Sequence, residues 1–369
     1  MNIPYFSLSE QNNSLRAELN AAINSVLDSG AFCLGPEVDA FEKEFAAWNG
    51  SRHVLAVNSG TSALHLAALL LNIKPGDEVI TTPFTFAATS WAISYVGAKP
   101  VYADIDPVTY NLDPAKIKAA ITPKTKAILP VHLYGHPCDI EGILKIAAEH
   151  DLGIIEDAAQ AHGATVSGKK VGNFAPLTAF SFYPTKNLGA VGEGGALVTG
   201  SDDLARRARA LRNHGCYERY RHDEVGYNYR MEGLQGAALR VKLKYLDEFN
   251  RKRRALAFRY TEKLQGLPLT LPVELPNNRA AWHLYVIRAA DRDALSRHLA
   301  DRGIGSAVHY PIPLHLQKAY AHLGHQPGDF PVAEQIAREV LALPFYPEMP
   351  LEHVDIVSAA IRKFVTFSR

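Results

Sequence analysis

The chain has 369 residues, 39 Lys and Arg against 38 Asp and Glu, and a formal net charge of +1. Hydrophobic residues make up 47% and charged residues 21%, which excludes a disordered chain. The balanced charge leaves no surface-wide footprint for nucleic acid or an anionic membrane, and the length suits a large domain with a smaller companion.

The opening stretch, MNIPYFSLSEQNNS, lacks the basic start and apolar core of a secretion signal. From about residue 54 the text alternates. HVLAVNSG reads as a strand, TSALHLAALLLN as a helix, DEVITTP as a strand, FAATSWAISYVG as a helix and KPVYADID as a strand. The DPAKIKAAIT helix, the KAILPVHLYG strand, the CDIEGILKIAAEHD helix and the LGIIEDAA strand follow. Strands and helices in turn predict βαβ units, a mostly parallel sheet, and ligand-binding loops gathered at one sheet edge. The apolar run ALHLAALLLNI is too short to span a bilayer and contains His65.

TAFSFYPTKN and GGALVTG then read as two short strands flanking a Gly-rich turn, and DDLARRARALRNHG as a helix ending at Gly215. Residues 216–231, rich in Tyr, Arg and His, read as a loop. LQGAALRVKLKYLDEFNRKRRALAFRYTEKLQ reads as one long helix bridging two domains, and WHLYVIRA onward as a small α+β unit. The expected division is residues 1–240, carrying a large cofactor domain, and 241–369. Cys33, Cys138 and Cys216 are scattered, odd in number and form no CxxC, so no disulfide framework is expected and a reducing cytoplasm is.

Four features carry chemistry together. In NSGTSAL, Gly60 turns the chain and Thr61 and Ser62 open a helix, whose free N–H groups and dipole favour an anion. In IIEDAAQAHGA, a strand delivers Glu156 and Asp157 to its C-terminal end, one of them toward the ligand crevice. In FSFYPTKNLGAVGEGGAL, Lys186 sits among apolar residues, where desolvation lowers its pKa and frees its amine. In PFTFAATSWAI, Phe84 and Phe86 lie at the ligand edge, where an aromatic face can cover a flat ring. A phosphate cup, a carboxylate, a reactive lysine and a ring cover are what pyridoxal 5′-phosphate requires. The run GAVGEGG leads into a strand, so it is not a dinucleotide fingerprint.

NSGTSAL, EDAAQAHGA, FSFYPTKNLGAVGEGGAL and GYNYRMEGLQGA resemble the DegT/StrS-type nucleotide-sugar aminotransferases, and the likeness extends from FCLGPEV to HYPIPLHLQ. The resemblance implies an α/β fold of fold-type I, with a large, mostly parallel sheet flanked by helices and a smaller C-terminal α+β domain. It implies Lys186 as the Schiff-base lysine, Asp157 as partner of the pyridine nitrogen, Gln160 near the ring hydroxyl and Phe86 stacked on the ring. Gly60, Thr61, Ser62 and Ser181 would hold the phosphate. Asn228 would reach the phosphate of a neighbouring subunit, which implies a homodimer with shared active sites.

The implied reaction is a ping-pong transamination from L-glutamate to a keto sugar carried on a nucleotide diphosphate. The chain looks most like enzymes acting on dTDP-3-keto-6-deoxyhexoses, which supply amino sugars for surface glycans such as O-antigen and lipopolysaccharide. A 4-keto-6-deoxy sugar or a UDP-3-keto uronic acid is the alternative. Expected substrate contacts are Tyr217, Arg219, Tyr220 and Arg221 in the 216–231 segment, His309 and Tyr310 in the small domain, and Tyr183. Family members with His in place of the lysine are dehydratases; Lys186 argues against that. A non-catalytic regulator would need an added DNA-binding segment. No metal is expected: His132 and His136, with Cys138 and Asp139 near them, are separated by helix-breaking Gly135 and Pro137, and His322 and His325 read as exposed loop residues.

Overall fold

The computed structural model describes residues 2–367. Its centre is a seven-stranded sheet of β1 (His53–Val57), β2 (Glu78–Thr81), β3 (Lys99–Tyr102), β4 (Thr125–Leu129), β5 (Gly153–Asp157), β6 (Leu177–Ser181) and β7 (Gly195–Thr199), in the spatial order β1-β7-β6-β5-β4-β2-β3. All pairings are parallel except those of β7, which runs against both β6 and β1. The two-strand reading of FSFYPTKN…GGALVTG therefore holds, and its Gly-rich turn is what reverses the chain at the sheet.

Strand periodicity places the chemistry. Side chains alternate between faces, so Leu55 and Val57 of β1 pack into one core with Leu64, Ala67, Ile155 and Leu197, while Val54 and Ala56 pack into the opposite core with Phe41, Phe45, Phe180 and Phe182. The same alternation sends Glu156 and Asp157, at the end of β5, to opposite faces.

Two readings change. The long helix is two, Gly233–Leu243 and Leu246–Leu264, broken around Lys244 and Tyr245. The first buries Ala237, Ala238 and Leu239 in the large domain. The second begins in the same clusters, through Leu246 and Phe249, and further along buries Leu256, Ala257 and Tyr260 against the final helix Leu351–Phe367. The 216–231 segment contains a short hairpin, Cys216–Glu218 paired with Arg221–His222.

The C-terminal unit is built on a two-stranded pairing, Val286–Arg288 with Val340–Ala342. The N-terminal segment joins it: the Ile3 N–H donates to the Gly303 carbonyl, and the Gly305 N–H to that of Ile3. This carries Tyr5 onto His309, ring centroids 5.8 Å apart. The three cysteines are free. Among the described residues no helix is long and apolar enough to cross a membrane.

Candidate active site

The C-terminal ends of β1, β5 and β6 converge. After β1, the chain turns through Asn58 and Ser59 into the helix Gly60–Leu70. The Ser59 hydroxyl caps the helix by accepting from the Ser62 N–H at 3.1 Å. The helix offers no acceptor to the Gly60 and Thr61 N–H groups, so these donors and the positive helix end face outward. The turn is wedged between strands. A Cβ on Gly60 would lie 2.7 Å from the Ser181 Cβ, and one on Gly195 would lie 2.5 Å from the Gly60 nitrogen. Both positions require glycine: Ser181 fills the space at Gly60, and the Ser59–Gly60 backbone fills it at Gly195.

Ser181, at the end of β6, has its hydroxyl beside this helix start. Ser62 is more committed: its hydroxyl donates to Asn58 Oδ1 at 2.7 Å and is itself buried. The cup is therefore made chiefly of the Gly60 and Thr61 amides with the Thr61 and Ser181 hydroxyls.

The two carboxylates of β5 have opposite surroundings. Glu156 is sealed, accepting from His132 Nε2 at 3.0 Å, the Ala175 N–H at 2.8 Å and the Thr178 hydroxyl at 3.0 Å. Burial opposes its charge, but these donors hold its pKa below the usual range. The Cys138 N–H donates to His132 Nδ1 at 3.1 Å, so Nε2 is the nitrogen that donates to Glu156. Asp157 faces the crevice. The Thr89 hydroxyl donates to it at 2.8 Å and the Ala159 N–H at 3.1 Å. Burial raises its pKa, opposed by those two donors and by the charge of Lys186.

Lys186 follows β6 in a tight turn, its N–H donating to the Tyr183 carbonyl at 2.8 Å. Burial lowers its pKa to about 8, against the opposing pull of Asp157. A free amine is thus accessible near neutrality, beside a carboxylate.

The remaining expected residues divide. Gln160 accepts from the Tyr134 N–H at 2.6 Å and donates to the Tyr310 hydroxyl at 3.3 Å. Phe86 presents an exposed ring 6.1 Å from that of Tyr310. His309 is half-buried, and burial and Lys186 push its pKa down to about 4. Phe84, by contrast, is fully buried core. His309 and Tyr310 thus reach the site from the C-terminal unit. Tyr183 is exposed beside Lys186.

Tyr217, Arg219, Tyr220 and Arg221 are not brought to Lys186 of the same chain. Tyr217 donates to Glu224, and Arg219 lies over the Tyr220 ring at 5.0 Å. Arg221 pairs with Glu218 and Asp223. Asn228 is exposed; its side-chain oxygen accepts from Arg230 at 3.1 Å, and its carbonyl accepts from Asn58 beside the cup.

The sequence profile of the DegT/DnrJ/EryC1/StrS aminotransferase family matches residues 13–362. The chain belongs to that family. It is 47% identical over 363 residues to a dTDP-3-amino-3,4,6-trideoxy-alpha-D-glucose transaminase of Streptomyces venezuelae, covering 98% of this chain and 96% of the relative. It is 48% identical over 363 residues to a Saccharopolyspora erythraea protein named erythromycin biosynthesis sensory transduction protein EryC1, covering 98% and 99%. The crystal structure of S. venezuelae DesV in complex with a ketimine intermediate superposes with a TM-score of 0.97 at 46% identity, covering 99% and 98%.

Several residues that shape this aminotransferase site carry no signal in the sequence. Thr89 lies on a helix remote from Asp157 in the chain. Tyr134, whose hydroxyl donates to the His309 carbonyl, and Tyr5 both anchor His309 across long separations. His132 stood out only as a metal candidate; it is a donor to Glu156. His136 is half-buried, its ring centroid 4.6 Å from that of Trp282, with desolvation lowering its pKa to about 4. His322 is exposed and His325 half-buried, the latter 3.2 Å from Asp329. Among the described residues no group of His, Cys, Asp and Glu could hold a metal ion. A separate cavity of about 650 Å³ opens beside the first residues of β2 and β3, lined by Asp77, Lys99, Lys124 and Trp91, at the sheet edge away from Lys186.

Proposed function

We propose that the protein is a pyridoxal 5′-phosphate-dependent aminotransferase that moves an amino group from L-glutamate to a keto sugar carried on a nucleotide diphosphate. The carrying observation is the Lys186 amine, brought to about pKa 8 by burial, beside buried Asp157 and the helix-start cup. The donor set fits the cofactor. Two helix-start amides and two hydroxyls suit a phosphate, and a carboxylate without a cationic hydrogen-bond partner suits a pyridine nitrogen. When bound, pyridoxal phosphate supplies an electron sink for the carbon that bears the amino group.

The chain's own residues do the rest. Gly60, Thr61 and Ser181 hold the phosphate, with Ser62 shaping the turn. Asp157 keeps a proton on the ring nitrogen, and Thr89 fixes the carboxylate. Phe86 covers the ring, and Gln160 stands beside Tyr310 at its edge. Lys186 moves the proton between the two carbons, work that requires a pKa near neutrality. Residues 1–240 supply the cup, and residues 241–369 bring His309 and Tyr310 over it. Asn228 and the Tyr217–Arg221 hairpin serve the site of a second copy, so a homodimer is the working unit.

The sugar is proposed to be a dTDP-3-keto-6-deoxyhexose, on the strength of similarity to the Streptomyces venezuelae transaminase, with the product entering amino-sugar biosynthesis in the cytoplasm. A glutamate-coupled assay over 3-keto and 4-keto sugars on dTDP and UDP tests this. Turnover confined to a 4-keto or UDP sugar overturns the substrate; no turnover with any, in cofactor-loaded protein, overturns the activity and favours a regulator.

A further inference from the structure

We propose that His65 is a positioning residue. Its hydrogen bond to Tyr229 fixes the face on which Asn228 stands, and with it the amide that this chain lends to the cofactor phosphate of a second copy. This rests on the reading of Asn228 as a phosphate donor to the neighbouring site.

His65 lies about one turn along the helix Gly60–Leu70 from Thr61 and is 5% exposed. Its helical neighbours Ala63, Leu64, Leu66 and Ala67 are all buried. Nδ1 lies 2.9 Å from the Tyr229 hydroxyl. Nε2 is buried with no partner among the described residues. A leucine would fill this place without the orphaned nitrogen, so the imidazole is unfavourable for stability alone. What it provides is the grip on Tyr229. The ring also meets Tyr227 edge-on, with centroids 4.9 Å apart, and Tyr227 and Tyr229 stack on each other at 5.0 Å. His65 therefore holds both neighbours of Asn228.

Residues 227–230 run extended. Asn228 bridges to Asn213 and Arg230 to Val57, and the Asn58 N–H donates to the Tyr229 carbonyl at 3.0 Å. Side chains alternate along such a segment. With Tyr227 and Tyr229 turned toward the helix, Asn228 and Arg230 share the opposite face, where Arg230 Nε donates to Asn228 Oδ1 at 3.1 Å. That bond sets the amide. Nδ2, with no partner among the described residues, is the end left to donate, and an amide N–H suits a phosphate oxygen. A slip by one residue would exchange the two faces and turn Asn228 inward. The His65–Tyr229 bond opposes that slip, from the same helix whose start forms this chain's own phosphate cup.

Tyr229→Phe removes the hydroxyl and keeps the ring stack. Cofactor affinity is read by titrating cofactor-free protein and following the visible band of the Lys186-bound cofactor. Tyr229→Phe is expected to keep its melting temperature within about 2 °C of the parent. Its affinity should fall about tenfold, the scale of one hydrogen bond to a charged group. His65→Leu should behave alike; if it does not fold, Tyr229→Phe carries the test alone.

A hybrid dimer, isolated with one Tyr229→Phe chain and one Lys186→Ala chain, separates positioning from damage to the helix. Only the Tyr229→Phe chain has the lysine that gives the band. The segment serving that site comes from the Lys186→Ala chain, whose His65 and Tyr229 are intact. The hybrid is therefore expected to titrate with the parent's affinity. Titration at the weakened affinity puts the defect in the chain's own cup and overturns the proposal, as does parent affinity in the Tyr229→Phe homodimer.

Asn228→Ala, run alongside, tests the underlying reading. It should lose at least as much affinity and recover in the same kind of hybrid. Unchanged affinity there removes Asn228 from the phosphate, and the proposal falls with it. Loss and recovery in Asn228→Ala without any effect of Tyr229→Phe overturns only the part given to His65.

Discussion

The strand-end site and the Tyr/Arg hairpin are both rich in polar side chains, yet they are built in opposite ways. At the ends of β5 and β6 each group is fixed by others: Asp157 by Thr89 and Ala159, Gln160 by Tyr134 and Tyr310. In the hairpin, Tyr220 is 81% exposed and the polar contacts stay within the local segment and Arg207. The first arrangement spends its freedom in advance, as chemistry on a bound ring demands. The second retains rotamer freedom, the property proposed here for a surface that orders only when a ligand or partner subunit arrives. Substitutions should divide accordingly, with large losses in rate or fold at the strand ends and small losses in binding at the hairpin.

Lys186→Ala is expected to have the largest effect. Turnover should fall by about three to four orders of magnitude, the scale of a lost general acid–base group, with little change in melting temperature. The same amine sets a pH dependence. Its pKa in the folded chain is lowered to about 8, so the cation dominates below that value. The rate at which cofactor-free protein captures the aldehyde should rise with pH and level off above about 8. A rise continuing toward the ordinary lysine range would mean that Lys186 is not desolvated.

The adjacent carboxylates sharpen the contrast inside the site itself. Glu156→Ala removes the acceptor for three buried donors, His132, Ala175 and Thr178. The expected cost is about 3–5 kcal/mol in urea unfolding, with the rate per folded molecule retained. Asp157→Asn should do the reverse, changing stability by about 1 kcal/mol or less and lowering turnover about a hundredfold. Equal effects on stability would contradict their placement on opposite faces of β5.

The sequence made the strand ends legible for a physical reason. Alternating runs predict a parallel sheet, a parallel sheet gathers its loops at one edge, and Asp157 ends a strand while Gly60 and Lys186 lie within five residues after one. What it hid are contacts between distant segments: Thr89 on Asp157, Tyr5 on His309, Tyr229 on His65. No local pattern marks such pairs. The Ser62 hydroxyl donates to Asn58, a partner that the motif does not announce. The break in the long helix is not legible because the apolar periodicity continues through Lys244, and Leu243 and Leu246 on either side of it enter the same core.

Gly195 lies between the two regimes. It is a strand residue with no chemistry of its own, but a Cβ there would press on the backbone of Ser59 and Gly60 at 2.4–2.5 Å. Gly195→Ala should displace the cup and weaken cofactor affinity about tenfold, equivalent to ~1.4 kcal/mol, measured by equilibrium dialysis. Unchanged affinity would show that the Gly60 and Thr61 amides are not the phosphate donors.

The smallest effects belong to the hairpin, and there the direction matters more than the size. Arg219→Ala and Tyr220→Ala remove exposed groups, so unfolding free energies should stay within about 0.5 kcal/mol of the parent. If the hairpin meets the nucleotide diphosphate, KM for the sugar should rise a few-fold and more steeply for Arg219, because a guanidinium–phosphate contact is charge-assisted. The glutamate half-reaction involves no nucleotide and should be unchanged. Salt provides a second axis, since screening weakens an exposed charge pair: raising ionic strength should narrow the gap between Arg219→Ala and the parent but not the gap for Tyr220→Ala. Equal losses in both half-reactions would instead place the hairpin among the elements that hold two copies together, and dilution would then lower activity in these variants before it does so in the parent.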